Sequence, residues 1–260
     1  VRDGDMTRSA SAEGGADLDT VVQPEETDTL GQAWIGEGAP VGASKASVDA
    51  FKNRLSREPT AGDISIAVVR NDPEMEAERV GVESVYGSRE HLPFDVSMHT
   101  DLTTAELAEL LGENLDFLHY IGHVDDDGFE CADGKLDVRD VEAVNVDSFF
   151  LNACQSYEQG MALIERGAIG GVVTLREVLN SGAVKVGKTL ARLLNLGFPL
   201  RPALDLAKGE SVIGEQYIVV GDGELAIAQS EGGTPVFAAV EPAGDMYDLE
   251  LHAYPTTQRG

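Results

Sequence analysis

Only two cysteines, six lysines and one tryptophan occur in 260 residues, and each scarcity narrows the field. Two thiols cannot staple a disulfide framework, so the fold must rest on a buried core, and a reducing compartment fits. No apolar run comes near the ~18 residues of a membrane span, and no basic start leads into an apolar stretch. Neither a membrane anchor nor a signal peptide is visible, so a cytoplasmic location is expected. Cations are scarce as well: 19 Lys and Arg face 46 Asp and Glu, a net charge of −27. That balance excludes a general nucleic-acid-binding surface and attraction to anionic membranes. The acids are spread along the chain rather than gathered in a tail. A dispersed excess with few lysines suits solubility in concentrated salt, where self-repulsion is screened, so a halophilic cytoplasm is the expected source. A chain that begins at Val1 is expected to be a piece of a longer protein or to start at a non-standard codon.

What the chain does have is concentrated between Asp116 and Ser156. Asp116-Phe117-Leu118-His119-Tyr120-Ile121-Gly122-His123 and Asp147-Ser148-Phe149-Phe150-Leu151-Asn152-Ala153-Cys154-Gln155-Ser156 are short apolar runs bounded by polar residues. Such runs predict strands buried on both faces of a parallel sheet. His123 and Cys154 then fall just past the carboxyl ends of two strands, the edge where open α/β sheets place their sites. An imidazole there can take the thiol proton and leave a thiolate nucleophile. A lone His and a lone Cys at strand ends are nevertheless more often packed residues than a dyad.

The rest of the chain alternates in the same sense. Ile64–Val69 reads as a first strand, Met75–Tyr86 as a helix, and Phe94–His99 as a second strand. Thr103-Thr104-Ala105-Glu106 is a capping box opening a helix with Leu107, Leu110 and Leu111 inward. Val48, Phe51 and Leu55 recur at helical spacing upstream. After His123, the Asp-Gly pair between two short runs signals a hairpin, and a helical turn is expected near 138–144. Gln159–Arg166 predicts a short helix closed by Gly167, Ile169–Leu175 a strand, and Ala183–Leu196 a helix ended by Gly197. The β-α-β order implies right-handed crossovers and a mainly parallel sheet. Residues 1–43 read as an acidic, low-complexity, disordered leader. Residues 44–208 form the α/β domain. Residues 209–260 read as a β-rich extension, with a hairpin over 217–227 and strands over 234–240 and 246–254, cut short at Gly260.

The blocks H-Y-I-G-H at 119–123 and L-N-A-C-Q-S at 151–156 resemble the CHAT peptidases, a caspase-like branch of the caspase, separase and gingipain group. Downstream, Ala168–Leu175, Ala183–Leu196 and the Gly-x-Pro-Leu-Arg-x-Ala-Leu-x-x-Ala-Lys segment at 197–208 resemble the family in the same order, so the likeness spans roughly Ile64 to Lys208. It implies a caspase-like three-layer αβα sandwich with a mainly parallel sheet, here with a small C-terminal β extension. It also implies a cysteine endopeptidase with Cys154 as nucleophile and His123 as base and acid. The oxyanion hole would use the backbone N–H groups of Cys154 and Val124, the latter standing where the family commonly has Gly. No cofactor is required. Partners would be a protein or peptide substrate and a regulatory sensor protein or domain, without nucleic acid or membrane.

His119, Asn152 and Glu158 are candidates to back the dyad or line a substrate pocket; Glu177 and Asp101 are further acids by position. His119 also reads as a packed residue with one hydrogen bond. A metal site from His119, His123, Cys131 and Cys154 matches no common zinc spacing, so no metal is expected. Asp125–Asp127 lacks the alternation and terminal Glu of a calcium loop. His91, His99 and His252 are read as structural. The rival functional reading is an inactive pseudo-protease serving as an interaction scaffold; Val124 favours it, while intact His123 and Cys154 oppose it.

Overall fold

The computed structural model describes residues 21–25, 32–57, 62–71, 85–86, 94–176, 180–209 and 216–255. The N-terminal part supplies four two-residue strands, β1 (Val21–Val22), β2 (Ala33–Trp34), β3 (Ala39–Pro40) and β4 (Ser44–Lys45), then helix α1 (Val48–Ser56). Strands β5 (Ile64–Arg70) and β6 (Phe94–Thr100), helix α2 (Thr104–Gly112) and β7 (Leu115–Ile121) follow. A meander of β8 (Val124–Asp125), β9 (Gly128–Cys131) and β10 (Gly134–Leu136) leads through a 3-10 turn (Val138–Asp140) to β11 (Val146–Asn152). The chain continues through α3 (Tyr157–Arg166), β12 (Gly170–Thr174), α4 (Asn180–Asn195), α5 (Leu200–Lys208) and β13 (Tyr217–Gly221). It closes on the hairpin β14 (Val236–Ala243) and β15 (Met246–Ala253).

One eight-stranded sheet, ordered β2-β4-β13-β12-β11-β7-β5-β6, organises these pieces. Its centre, from β12 to β6, is parallel, and β13 runs antiparallel to β12. Alternation sends successive side chains to opposite faces. Leu118, Tyr120, Phe149 and Leu151 meet Ala50 of α1, Leu107 and Leu111 of α2, and Leu163 and Ile164 of α3. Phe117, Ile121 and Phe150 meet Val186, Leu190 and Leu194 of α4 and Leu200 and Leu204 of α5. Each such side chain contributes about 1.5–3 kcal/mol by leaving water. The expected αβα sandwich with a mainly parallel sheet is therefore the fold. Close packing sets residue choice at Gly171, where a Cβ would lie 2.3 Å from the Phe149 ring.

The capping box forms as expected: Thr103 accepts from Glu106 N–H while the Glu106 carboxylate accepts from Thr103 N–H. Other expectations change. Within the leader read as disordered, Ala33–Trp34 joins the edge of the central sheet and Ala39 is buried. The strand Tyr217–Gly221, expected in a separate hairpin, is instead a fully buried member of that sheet, because its five residues pair with β12. Helix α1 forms, yet Val48, Phe51 and Leu55 are exposed. Its inward face is polar: Asn53 Nδ2 donates to the Ile164 and Ala168 carbonyls, Arg54 pairs with Asp222, and Arg57 pairs with Asp147 at 3.2 Å. Most of the helix expected over Met75–Tyr86 and residues 1–20 and 26–31 of the leader lie outside the described residues.

Candidate active site

Strands β7 and β11 are hydrogen-bonded neighbours, with Phe150 opposite His119 and Asn152 opposite Ile121. His123 lies two residues beyond Ile121 and Cys154 two beyond Asn152. Both therefore leave the same sheet edge at the same offset, from strands about 4.8 Å apart. Their parity matches as well: Phe117 and Ile121 of β7 and Phe150 of β11 belong to the α4–α5 face, against which Cys154 is also packed. Cys154 is half-buried and His123 is exposed.

The turn carrying Cys154 is tied down by residues that sequence reading did not single out. Thr174 of β12 donates its hydroxyl to the Ala153 carbonyl, and Ser156 N–H donates to Thr174 Oγ1 at 3.3 Å. Thr174 N–H donates in return to Ser156 Oγ at 3.0 Å. Gln155, directly after the cysteine, holds φ at +50°, a left-handed conformation uncommon for a side chain of its size. The paired Thr and Ser stand 18 positions apart, so no local pattern could have marked them.

On the histidine side, Glu130 N–H donates to the His123 carbonyl at 2.9 Å, making 123 and 130 a hydrogen-bonded pair of the meander. The next pair, Val124 with Phe129, is then a non-hydrogen-bonded one, and the Val124 N–H points away from β9. The Val124 side chain is buried in the core, which is why a branched apolar residue serves here. An open pocket of about 210 Å³ is lined by His123, Val124, Asp125, Gly128, Glu130 and Lys135. Lys135 forms an ion pair with Asp125, so the acidic loop carries its own cation. Gln159 of α3 links the two sides. Its Oε1 accepts from Val138 N–H at 3.0 Å, and its Nε2 donates to the Asp126 carbonyl at 3.3 Å.

The remaining candidates are distributed around this edge. His119 is fully buried, with Nδ1 3.2 Å from Tyr86 Oη and its ring 4.7 Å from that of Phe150. Asn152 is buried too; it accepts from Tyr217 Oη at 2.6 Å and donates to the Ala183 carbonyl at 3.2 Å, joining β11, β13 and α4. Glu158 is exposed in the first turn of α3, beside Tyr157, whose phenol is pushed up to about 12 by burial and by the Glu158 charge. Asp101 is exposed and pairs with Arg70 at 3.7 Å, while Glu177 lies outside the described residues. His99 shares a 3.0 Å hydrogen bond with Ser97 and His252 sits 3.2 Å from Glu250; His91 lies outside the described residues.

The two thiols differ sharply in setting. Cys131 is buried, and desolvation, then the Asp133 charge, pushes its thiol up to about 11. A thiol held protonated in this way is a poor nucleophile. Cys154 lies on the open edge. Among the described residues, no group of three His, Cys, Asp or Glu side chains is arranged to hold a metal ion. Nor does any described helix have the length and apolarity to cross a membrane.

No family model and no curated protein sequence matches the chain. Solved structures do. The Arg-specific cysteine proteinase gingipain R superposes with a TM-score of 0.55 at 12% identity, over 74% of this chain and 55% of that one. The complex of the Porphyromonas gingivalis RgpB pro- and mature domains gives a TM-score of 0.51 at 11% identity, over 74% and 56%. A Saccharomyces cerevisiae separase–securin complex gives 0.50 at 13% identity, over 66% of this chain and 13% of that one. The chain thus spans about half the length of the gingipain chains and a small part of separase. At these identities the likeness is one of fold, and the fold is that of the caspase-like cysteine peptidases.

Proposed function

We propose that the chain is a caspase-like cysteine endopeptidase of the CHAT type, acting on a protein substrate without a cofactor. The observation that carries this reading is the equal offset of His123 and Cys154 beyond the paired residues Ile121 and Asn152. His123 takes the Cys154 proton, and the thiolate attacks the scissile carbonyl. The developing oxyanion is met by the N–H groups of Cys154 and Val124; the outward direction of the latter supports this role. The imidazolium then protonates the leaving amine as the C–N bond breaks, giving a thioester acyl-enzyme. Water, deprotonated by His123, attacks the thioester and returns the thiol. Thr174 and Ser156 hold the nucleophile turn, Asn152 positions its strand end, and His119 packs behind the same edge.

Control by a sensor protein or domain is supported by the securin and pro-domain complexes in which structural neighbours were solved. The dispersed charge of −27 supports a halophilic cytoplasm as the setting. The test is labelling in high salt with a thiol-reactive peptidyl probe carrying Arg at P1, a choice guided by the Arg specificity named for gingipain R. Labelling should vanish in Cys154→Ala and fall steeply in His123→Ala. Equal labelling of the native chain and His123→Ala would mean an ordinary thiol and favour the scaffold reading.

A further inference from the structure

The meander β8–β10 has two unlike faces. Val124, Phe129 and Cys131 point into the core, so by alternation their neighbours His123 and Glu130 point out. Register places a third side chain in the same row. His123 is hydrogen-bonded to Glu130 across the first pair of strands, and Glu130 stands opposite Lys135 across the second. Directly opposed residues carry their Cβ atoms about 5 Å apart. The backbone of this row is held from behind: Tyr120 Oη lies 2.8 Å from the Glu130 carbonyl and 3.3 Å from that of His123. Asn71 Nδ2 also donates to the Glu130 carbonyl, at 3.1 Å.

The pocket of about 210 Å³ beside His123 opens onto this row. Among the described residues its lining comes from His123 and the meander, and none of it from the turn that carries Cys154. It is smaller than the ~300–1,000 Å³ of sites that enclose a whole small-molecule ligand, and suits a single side chain. In peptide cleavage the general acid protonates the leaving amine, so the residue bearing that amine, P1′, lies on the histidine side of the thiol. Charge then decides which side chain fits. The Lys135 ammonium is already held by Asp125, with Asp127 a further 3.7 Å contact. The Glu130 carboxylate is exposed and, among the described residues, forms no ion pair, which leaves the pocket wall with a negative charge to be met.

We propose that this pocket is the P1′ subsite and that Glu130 makes it select Lys or Arg. The proposal rests on the peptidase reading, because it names the substrate side chain taken beside that same histidine. A mixed-sequence peptide library digested by the native chain, with the cleaved bonds read by mass spectrometry, tests it. Lys and Arg should be enriched at P1′ over Asp and Glu. In the best-cleaved sequence, kcat/KM with Lys at P1′ should exceed that with Glu by about tenfold at ~0.1 M salt, and added salt should shrink the ratio. Glu130→Gln should reduce the ratio to about twofold. Glu130→Lys should reverse it, which the loss of a merely structural contact would not do. Indifference to P1′ in the native chain, or a preference that survives both substitutions, would overturn the assignment while the peptidase reading stands. A library left uncut would overturn the peptidase reading, and the assignment with it.

Discussion

Replacing Thr174 by Val keeps the shape of a buried side chain and deletes one hydroxyl, which isolates the contacts that hold the turn carrying Cys154. Thr174, Ala153 and Ser156 are all fully buried. Without the hydroxyl, the Ala153 carbonyl loses its donor and Ser156 N–H loses its acceptor at a site water does not reach. Stranding a buried polar group costs about 1–3 kcal/mol, so the pair should cost about 2–4 kcal/mol after partial relaxation. For a domain of this size that lowers Tm by about 5–15 °C. Thr174→Ser retains the hydroxyl and gives up one methyl, for about 1 kcal/mol. Urea unfolding of both variants separates the two contributions, and the rate of Cys154 labelling should fall with Val and recover with Ser. A double-mutant cycle with Ser156→Ala should show coupling of about 1 kcal/mol or more. Equal losses for Val and Ser would refute the argument, because the methyl and not the hydroxyl would then be what matters.

Two further outcomes follow from the geometry. Because burial, aided by Asp133, raises the Cys131 thiol from 9.0 to about 11, its contribution to stability is complete below pH 9 and is lost as pH rises towards 11. Urea midpoints across that window should fall in the native chain and fall less in Cys131→Ala. On α1, Leu55→Glu should change stability by less than about 0.5 kcal/mol because the side chain is exposed. Arg54→Ala, which strands buried Asp222, should cost about 2–3 kcal/mol in the same unfolding assay.

What could be read in the sequence was what local chemistry decides. The Thr103–Glu106 capping box and the apolar runs of β7 and β11 carry their own signals, and each element formed where those signals lay. Periodicity identified α1 as a helix but left open what it packs against. Spacing at 48, 51 and 55 says nothing about whether apolar packing or polar bonds hold the helix down. Here Asn53, Arg54 and Arg57 do so through partners more than 80 residues away. Tyr217–Gly221 looked like half of a hairpin for the same reason: its partner, β12, lies across two intervening helices. Thr174 was invisible because a threonine at the end of a buried strand has no pattern to break.

The chemistry of the edge is thus a consequence of register more than of the residues alone. His123 and Cys154 are separated by a meander, a 3-10 turn and a strand, and nothing in that spacing brings them together. The β7–β11 ladder sets them at equal offsets beyond one sheet edge, and it is fixed by alternation on both sides: Phe117 and Phe150 are committed to one face, Leu118 and Phe149 to the other. A slip of one residue would turn every one of these to the wrong layer and carry Cys154 to the opposite face from His123. Asn152 adds a directional lock, since only in this register can its amide meet both Tyr217 and the Ala183 carbonyl. The same core that stabilises the sandwich therefore also sets the common offset of His123 and Cys154, and a change deep in β11 that loosens the ladder should slow Cys154 labelling without touching either side chain.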